Sequence, residues 1–161
     1  MPGLEPAQTE AWIRELLSEE AFGNLEANWE TDFSHQQPMG DGFVRLRVNV
    51  HRQRSGWGLV MRLLSDRIPS FEEITLEDSV QQLISLPRGL VLLTGPTGSG
   101  KTTTLASMMN TLNCKSTRHL YTIEDPIEYV YEGGHSEVTQ REVGTHTHGF
   151  APALRSALRA D

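Results

Sequence analysis

The sequence predicts a mixed α/β protein, with helix and antiparallel strands in its first half and a strand, a glycine-rich loop and a helix in its second. Apolar and polar residues alternate over residues 43–52, which is typical of a half-buried antiparallel strand. The continuous apolar run "LVLL" at residues 90–93 is typical of a buried parallel strand, and the loop follows it directly. The change of pattern predicts a boundary near Pro87, between a first domain over residues 1–87 and a second over residues 88–161.

The first half begins with one predicted amphipathic helix from Pro6 to about Ala21, since apolar residues recur there at helical spacing. An alternating stretch follows Trp29, and "PMGDG" at residues 38–42 predicts a turn into the strand over residues 43–52. The glycines of "QRSGWG" predict a reversal, so that "LVMRLL" returns as the partner strand. A further helix is predicted before Pro87, with Thr75 as its cap.

The second half is predicted to form a strand, a loop, a helix and a second strand. A helix is predicted over residues 100–112, and the strand "HLYTIE" over residues 119–124 is halted by Pro126. A closing helix is predicted within "GFAPALRSALR" at residues 149–159. This order is typical of an α/β unit.

Composition excludes some classes of protein. The 161 residues carry a net charge of −7, which weighs against a surface that binds nucleic acid throughout. The single Cys114 excludes an intrachain disulfide, and no zinc motif is present. The N-terminus has no leader pattern and no apolar run approaches a membrane span, so we expect a cytoplasmic protein without membrane insertion. One local strip is basic, with Arg45, Arg47, Arg52, Arg54, Arg62 and Arg67.

The glycine-rich loop matches the phosphate-binding pattern G-x-x-x-x-G-K-[ST]. Its backbone amides are expected to surround phosphate oxygens, with Lys101 on the β- and γ-phosphates and the Thr102 hydroxyl on Mg²⁺. The expected cofactors are therefore ATP and Mg²⁺. The predicted nucleotide-binding residues are Gly95, Pro96, Thr97, Gly98, Ser99, Gly100, Lys101, Thr102 and Thr103.

Three carboxylates follow the second predicted strand of this half. Glu124, Asp125 and Glu128 lie in "TIEDPIEY", at the strand end where open α/β sheets bind their ligands. Two interpretations remain open. Either this is the Mg²⁺-holding strand of a small P-loop kinase, or it is an intermediate strand and the true Walker B strand lies further on.

Several stretches between residues 30 and 161 resemble, in order, the type II/type IV secretion and pilus motor ATPases, and within them the PilT/PilU-type retraction ATPases. They are "ETDFS", "RLRVNVHRQR", "LPRGLVLLTGPTGSGKTTTLASM", "HLYTIEDPIEYVY" and "VTQREVGTHTHGFAPALRSALRAD". The phosphate loop is shared by many NTPases, so "TIEDPIEY", "QREVG" and "ALRSALRAD" give the resemblance its specificity. It implies an incomplete PAS-like antiparallel N-terminal domain followed by the first part of a RecA-like P-loop domain.

The resemblance also implies a function. It predicts a hexameric cytoplasmic ring, peripheral at the inner membrane, that hydrolyses ATP and drives pilus retraction and twitching motility through a membrane platform protein. Glu128 is the carboxylate expected near Mg²⁺ and the attacking water, with Glu124 and Asp125 second and Lys101 on the phosphates. One or more arginines of the first domain are expected to reach a neighbouring subunit's nucleotide, from the set Arg45, Arg47, Arg52 and Arg54.

Departures from the family pattern limit what we expect of the isolated chain. An "SDLH"-like stretch is missing at the start, and the Walker B and His-box regions are missing at the end, so we expect weak ATP binding with little or no turnover. Alternatives remain: an extension or type II secretion ATPase of the same superfamily, or a RecA-like DNA motor whose arginines and Trp57 bind nucleic acid. A non-catalytic nucleotide-binding module is a third class.

Overall fold

The computed structural model describes residues 5–159 and confirms the mixed α/β class. Residues 1–4 of the predicted first domain and residues 160–161, which close "ALRSALRAD", lie outside the described residues. The elements, in chain order, are α1 (Pro6–Leu16), α2 (Glu19–Asn28), β1 (Glu30–Met39), β2 (Gly42–Gln53), β3 (Gly56–Leu63), α3 (Asp78–Gln81) with a 3₁₀ turn (Gln82–Ser85), α4 (Lys101–Lys115), β4 (His119–Glu124), β5 (Glu137–Glu142) and α5 (Phe150–Ala157).

The single amphipathic helix predicted at the start is wrong, because the chain forms two helices there. Leu17 leaves the helical conformation with φ −112° and ψ 145°. Ser18 then begins α2, since its hydroxyl oxygen accepts a hydrogen bond from the Ala21 N–H at 3.2 Å. The apolar spacing continues across the break, so it did not reveal the cap.

The first three strands form an antiparallel sheet in the order β1, β2, β3, as the alternation and the predicted turns required. In β2, Val48 and Val50 are fully buried, whereas Asn49 and His51 on the opposite face are only partly covered. The helices α1 and α2 cover the buried face, and each core side chain removed from water stabilises the fold by about 1.5–3 kcal/mol. The core between this sheet and the two helices consists of Ile13, Phe22, Leu25, Val48, Val50 and Trp57.

The capping box predicted at Thr75 is also wrong. Thr75 has φ +54°, whereas a helix cap needs an extended backbone. The helix instead begins after Glu77, whose side chain makes no capping hydrogen bond, and α3 spans four residues. The stretch before Pro87 is therefore a short helical turn.

In the second half, the predicted helix and the strand over residues 119–124 are present, and β4 pairs with β5 in parallel register. The strand predicted for residues 90–93 does not form. A strand needs a neighbour for its backbone hydrogen bonds, and within residues 5–159 β4 and β5 pair only with each other. Leu90 and Leu92 are accordingly 82% and 74% exposed.

None of the helices within residues 5–159 is both long enough and apolar enough to cross a membrane.

Candidate functional site

The phosphate loop adopts backbone conformations that glycine reaches easily. Gly98 and Gly100 have φ +79° and +85°, in the left-handed region that favours glycine. A Cβ at Gly95 would lie 2.8 Å from Ser99 Oγ, so the loop closes tightly there. Gly100 leads directly into α4, whose first N–H groups have no partner within the helix and therefore favour an anion.

Lys101, the first residue of α4, folds back over this loop. Its Nζ donates to the backbone oxygens of Gly95, at 3.0 Å, and Pro96, at 2.8 Å. The ammonium therefore lies beside the loop, where a bound phosphate would meet it.

A cleft of about 470 Å³ separates α4 from β4 and the segment that follows β4. Lys101 and Thr102 line one wall, and Glu124, Asp125 and Glu128 line the other. Thr103 does not line the cleft, and its hydroxyl lies 3.3 Å from the Tyr129 hydroxyl oxygen. The structure thus places Lys101 and Thr102, but not the loop residues 95–100, in the lining of the same cleft as the three predicted carboxylates.

Glu124 is held in place by its neighbours. Its Oε1 accepts hydrogen bonds from the Thr122 hydroxyl at 2.7 Å and from Gln140 Nε2 at 3.0 Å. The same Gln140 amide donates to the backbone oxygen of Tyr129 at 2.9 Å. Through Gln140, Glu124 is therefore linked to the backbone of Tyr129 in the cleft wall.

Tyr131 lies at the same wall. Burial raises the pKa of its hydroxyl well above the ordinary value of 10.0, and the negative charge of Glu124 adds to the effect. This hydroxyl remains neutral at physiological pH.

Glu128 forms an ion pair with the first sheet. Its Oε1 lies 3.6 Å from Arg47 Nη1, with about one third of each side chain exposed (32% and 35%). Arg47 also binds Asp32, with Nη2 to Oδ2 at 2.6 Å and Nε within 3.1 Å of both oxygens. The hydrogen bonds to Asp32 raise the pKa of Arg47, so this cation is permanent beside Glu128.

Two of the arginines expected to reach a neighbouring subunit are engaged within the chain. Arg47 binds Asp32 and Glu128, and Arg45 donates to the backbone oxygens of Ile127 and Glu128, each at 2.9 Å. The other two lie at the far end of the hairpin. Arg52 covers the Trp57 ring at 4.9 Å, and Arg54 is exposed in the turn.

Sequence reasoning missed Glu142, the last residue of β5, which is only 1% exposed. Its Oε1 accepts from the Ser34 N–H at 3.3 Å and the Thr145 hydroxyl at 2.8 Å. Its Oε2 accepts from the Ser34 hydroxyl at 2.6 Å and the Ile127 N–H at 2.9 Å. Its place at the end of a parallel strand beside the end of β4 is known only from the structure, because the sequence predicts no strand at residues 137–142.

The oxygen atoms that line the cleft are suitable ligands for Mg²⁺ bound with a nucleoside triphosphate. The Thr102 hydroxyl and the carboxylates of Asp125 and Glu128 are oxygen donors, which Mg²⁺ prefers. Among residues 5–159 there is no group of three or more His, Cys, Asp or Glu side chains placed to hold a metal ion by themselves. Mg²⁺ bound mainly through phosphates and water is consistent with this arrangement.

Comparisons with known proteins confirm the resemblance. Residues 34–161 match the family model described as "Type II/IV secretion system protein". The chain is 45% identical over its whole length to the "Type IV pilus retractation ATPase PilT" of Pseudomonas aeruginosa, of which it covers 46%. It is also 38% identical over its whole length to a "Twitching motility protein" of Neisseria gonorrhoeae, of which it covers 42%.

A solved structure agrees. The crystal structure of the pilus retraction motor PilT with bound ADP matches with a TM-score of 0.85 and 46% identity. That match covers 98% of this chain and 44% of the other. The chain therefore spans slightly less than half the length of these two relatives and of the PilT chain in that structure.

Proposed function

The chain belongs to the type II/IV secretion system protein family, and on that premise we propose that it binds ATP with Mg²⁺ as part of a motor ATPase for pilus retraction. The observation that carries the proposal is the cleft, in which Lys101 and Thr102 face Glu128 and its neighbouring carboxylates. A related candidate, an ATPase of type II secretion, is supported by the family description and by a matching type II secretion ATPase of Vibrio cholerae.

The residues of the cleft divide the chemistry of phosphoryl transfer between them. The loop amides and Lys101 hold the phosphate oxygens, and Lys101 releases two loop carbonyls to do so. The Thr102 hydroxyl and the carboxylates would hold Mg²⁺, which when bound neutralises phosphate charge. Glu128 orients the attacking water, with Glu124 and Asp125 in supporting places.

Turnover by the 161-residue chain alone is expected to be low. Glu128 is ion-paired with Arg47, and the Lys101 ammonium is bound to carbonyls of its own loop. Both side chains must exchange these partners before they act on a nucleotide. ATP binding is therefore the better test of this chain, whereas ATP turnover is expected of the whole motor.

The larger assembly is part of the proposal. The names of the relatives, a retraction ATPase and a twitching motility protein, support a pilus motor. We propose a hexameric ring at the cytoplasmic side of the inner membrane that acts on a platform protein, with the domain boundary near Pro87. The DNA-motor alternative is weakened because Arg45 and Arg47, two of the six arginines of the basic strip, are engaged within the chain.

Titration with ATP, with Mg²⁺ and with EDTA, tests the proposal. We expect the wild type to bind Mg²⁺ with ATP more tightly than ATP alone, and Glu128→Gln to lose most of this Mg²⁺-dependent gain. Glu132→Gln is the matched control, because Glu132 is exposed and does not line the cleft. A wild-type chain without Mg²⁺-dependent ATP binding would contradict the proposal.

A further inference from the structure

Two side chains hold the backbone of Ile127 and Glu128: Glu142 accepts from the Ile127 N–H, and Arg45 donates to the backbone oxygens of both residues. We propose that Glu142 and Arg45 are positioning residues for Glu128: they clamp the Ile127–Glu128 segment between the first sheet and β5, so that the first sheet sets where the Glu128 carboxylate lies. This inference rests on the proposed role of Glu128 at the nucleotide.

Glu142 provides one side of the clamp. Each of its two oxygens accepts one backbone N–H and one hydroxyl, so all four hydrogen bonds come from the chain itself. A buried carboxylate is tolerated only with such compensation. Glu142 thereby joins the Ile127 N–H to both the N–H and the hydroxyl of Ser34 on β1, a residue 108 positions earlier in the chain.

Arg45 provides the other side. It lies on β2, and its Nη1 and Nη2 donate to the consecutive backbone oxygens of Glu128 and Ile127, both at 2.9 Å. The planar fork of a guanidinium spans two acceptors in this way, whereas a lysine ammonium has no fixed fork. Burial lowers the pKa of Arg45, and the negative charges of Glu142 and Glu124 act against that lowering.

The two anchors act on the same short stretch of backbone. Glu142 holds the N–H of Ile127, and Arg45 holds its C=O and that of the next residue. Both anchors also belong to, or bind, the first sheet, through β2 and through Ser34 on β1. A displacement of that sheet relative to β5 must therefore displace Glu128 within the cleft, or break the clamp.

Two variants test the clamp in the chain as printed. Each oxygen of Glu142 faces a backbone N–H, so the amide of Glu142→Gln must point its NH₂ at one of them. Arg45→Lys keeps the charge and loses the fork. Glu137→Gln, exposed on β5, and Arg62→Lys, exposed on β3, are the matched controls.

The first readout is the dissociation constant for ATP with Mg²⁺ and with EDTA. We expect both clamp variants to weaken the Mg²⁺ complex by about 10-fold to 100-fold, the usual effect of removing a group that orients a metal-site carboxylate. Binding of ATP in EDTA should be unchanged, because the phosphate loop is intact. A purely structural role would instead lower the melting temperature and leave the Mg²⁺-dependent gain as it is in the wild type.

The second readout is amide hydrogen exchange at Ile127, followed by NMR without nucleotide. Exchange should be slow in the wild type and in both controls, and faster in Glu142→Gln. Unchanged exchange in that variant, or an unchanged Mg²⁺-dependent gain in both clamp variants, would overturn the clamp.

If the wild type shows no Mg²⁺-dependent binding, the proposed function falls, and exchange at Ile127 alone decides whether the clamp exists. If Glu142→Gln does not fold, Arg45→Lys decides by the first readout, because Arg45 binds the carbonyl oxygens of this segment.

Discussion

Replacing Lys101 by alanine is expected to weaken ATP binding by about 2-fold to 30-fold. Without ligand, the Lys101 ammonium donates to two loop carbonyls at 3.0 and 2.8 Å, and both bonds are accessible to water. On binding, these bonds are exchanged for contacts with charged phosphate oxygens, which contribute about 1.5–3 kcal/mol. The exchange itself costs about 1 kcal/mol for the lost loop bonds. The net loss in the variant is therefore about 0.5–2 kcal/mol, which converts to that range.

Isothermal titration with ATP and Mg²⁺ measures this loss directly. Lys115→Ala is the matched control, because Lys115 is the exposed last residue of the same helix and the substitution removes the same charge. A thermal melt verifies that both variants remain folded. Equal dissociation constants for wild type and Lys101→Ala would refute the reasoning. Equal weakening by Lys101→Ala and Lys115→Ala would show an effect of net charge rather than of a phosphate contact.

Two further predictions concern stability. A Cβ at Gly134 would overlap the side-chain amide of the buried Asn113, so Gly134→Ala should lower the free energy of unfolding in urea by about 1–3 kcal/mol. Gly23→Ala, where a Cβ meets nothing within 4 Å inside α2, should not lower it, and equal effects of the two variants would contradict the steric account. Because the pKa of Tyr131 is raised in the folded chain, only the unfolded chain ionises this group just above its ordinary value of 10.0. The free energy of unfolding should therefore fall as pH rises above that value, less steeply in Tyr131→Phe, and equal slopes would count against the buried hydroxyl.

The elements that the sequence predicts well are those whose contacts are local. The β2–β3 hairpin follows from alternation and a short turn, and α4 follows from its spacing and the glycines before it. The strand at residues 90–93 shows the limit of this reasoning. An apolar run indicates burial, but whether it is a strand depends on a neighbour elsewhere in the chain, and none of the described residues provides one.

In the candidate site, too, the sequence indicated some residues and missed others. The rule that ligands bind at the carboxyl ends of parallel strands led to Glu124, Asp125 and Glu128, which line the same cleft as Lys101, and their role at a nucleotide stays a prediction. The role of Glu142 was not predictable, because its partner Ser34 is 108 residues away. In the sequence "EVTQRE", this glutamate is one more polar residue of a mostly polar stretch. Only the packed structure shows that it is buried.

The grip of Arg45 and Glu142 on main-chain atoms has a consequence for how this segment evolves. Carbonyl and amide groups are the same whatever side chain they carry, so the hydrogen bonds to the Ile127–Glu128 segment make no demand on the residue at position 128. Mutation can therefore replace the carboxylate without moving the backbone that presents it. A variant that has lost the Glu128 carboxylate is therefore expected to keep the architecture of this segment, because the hydrogen bonds that hold it end on backbone atoms.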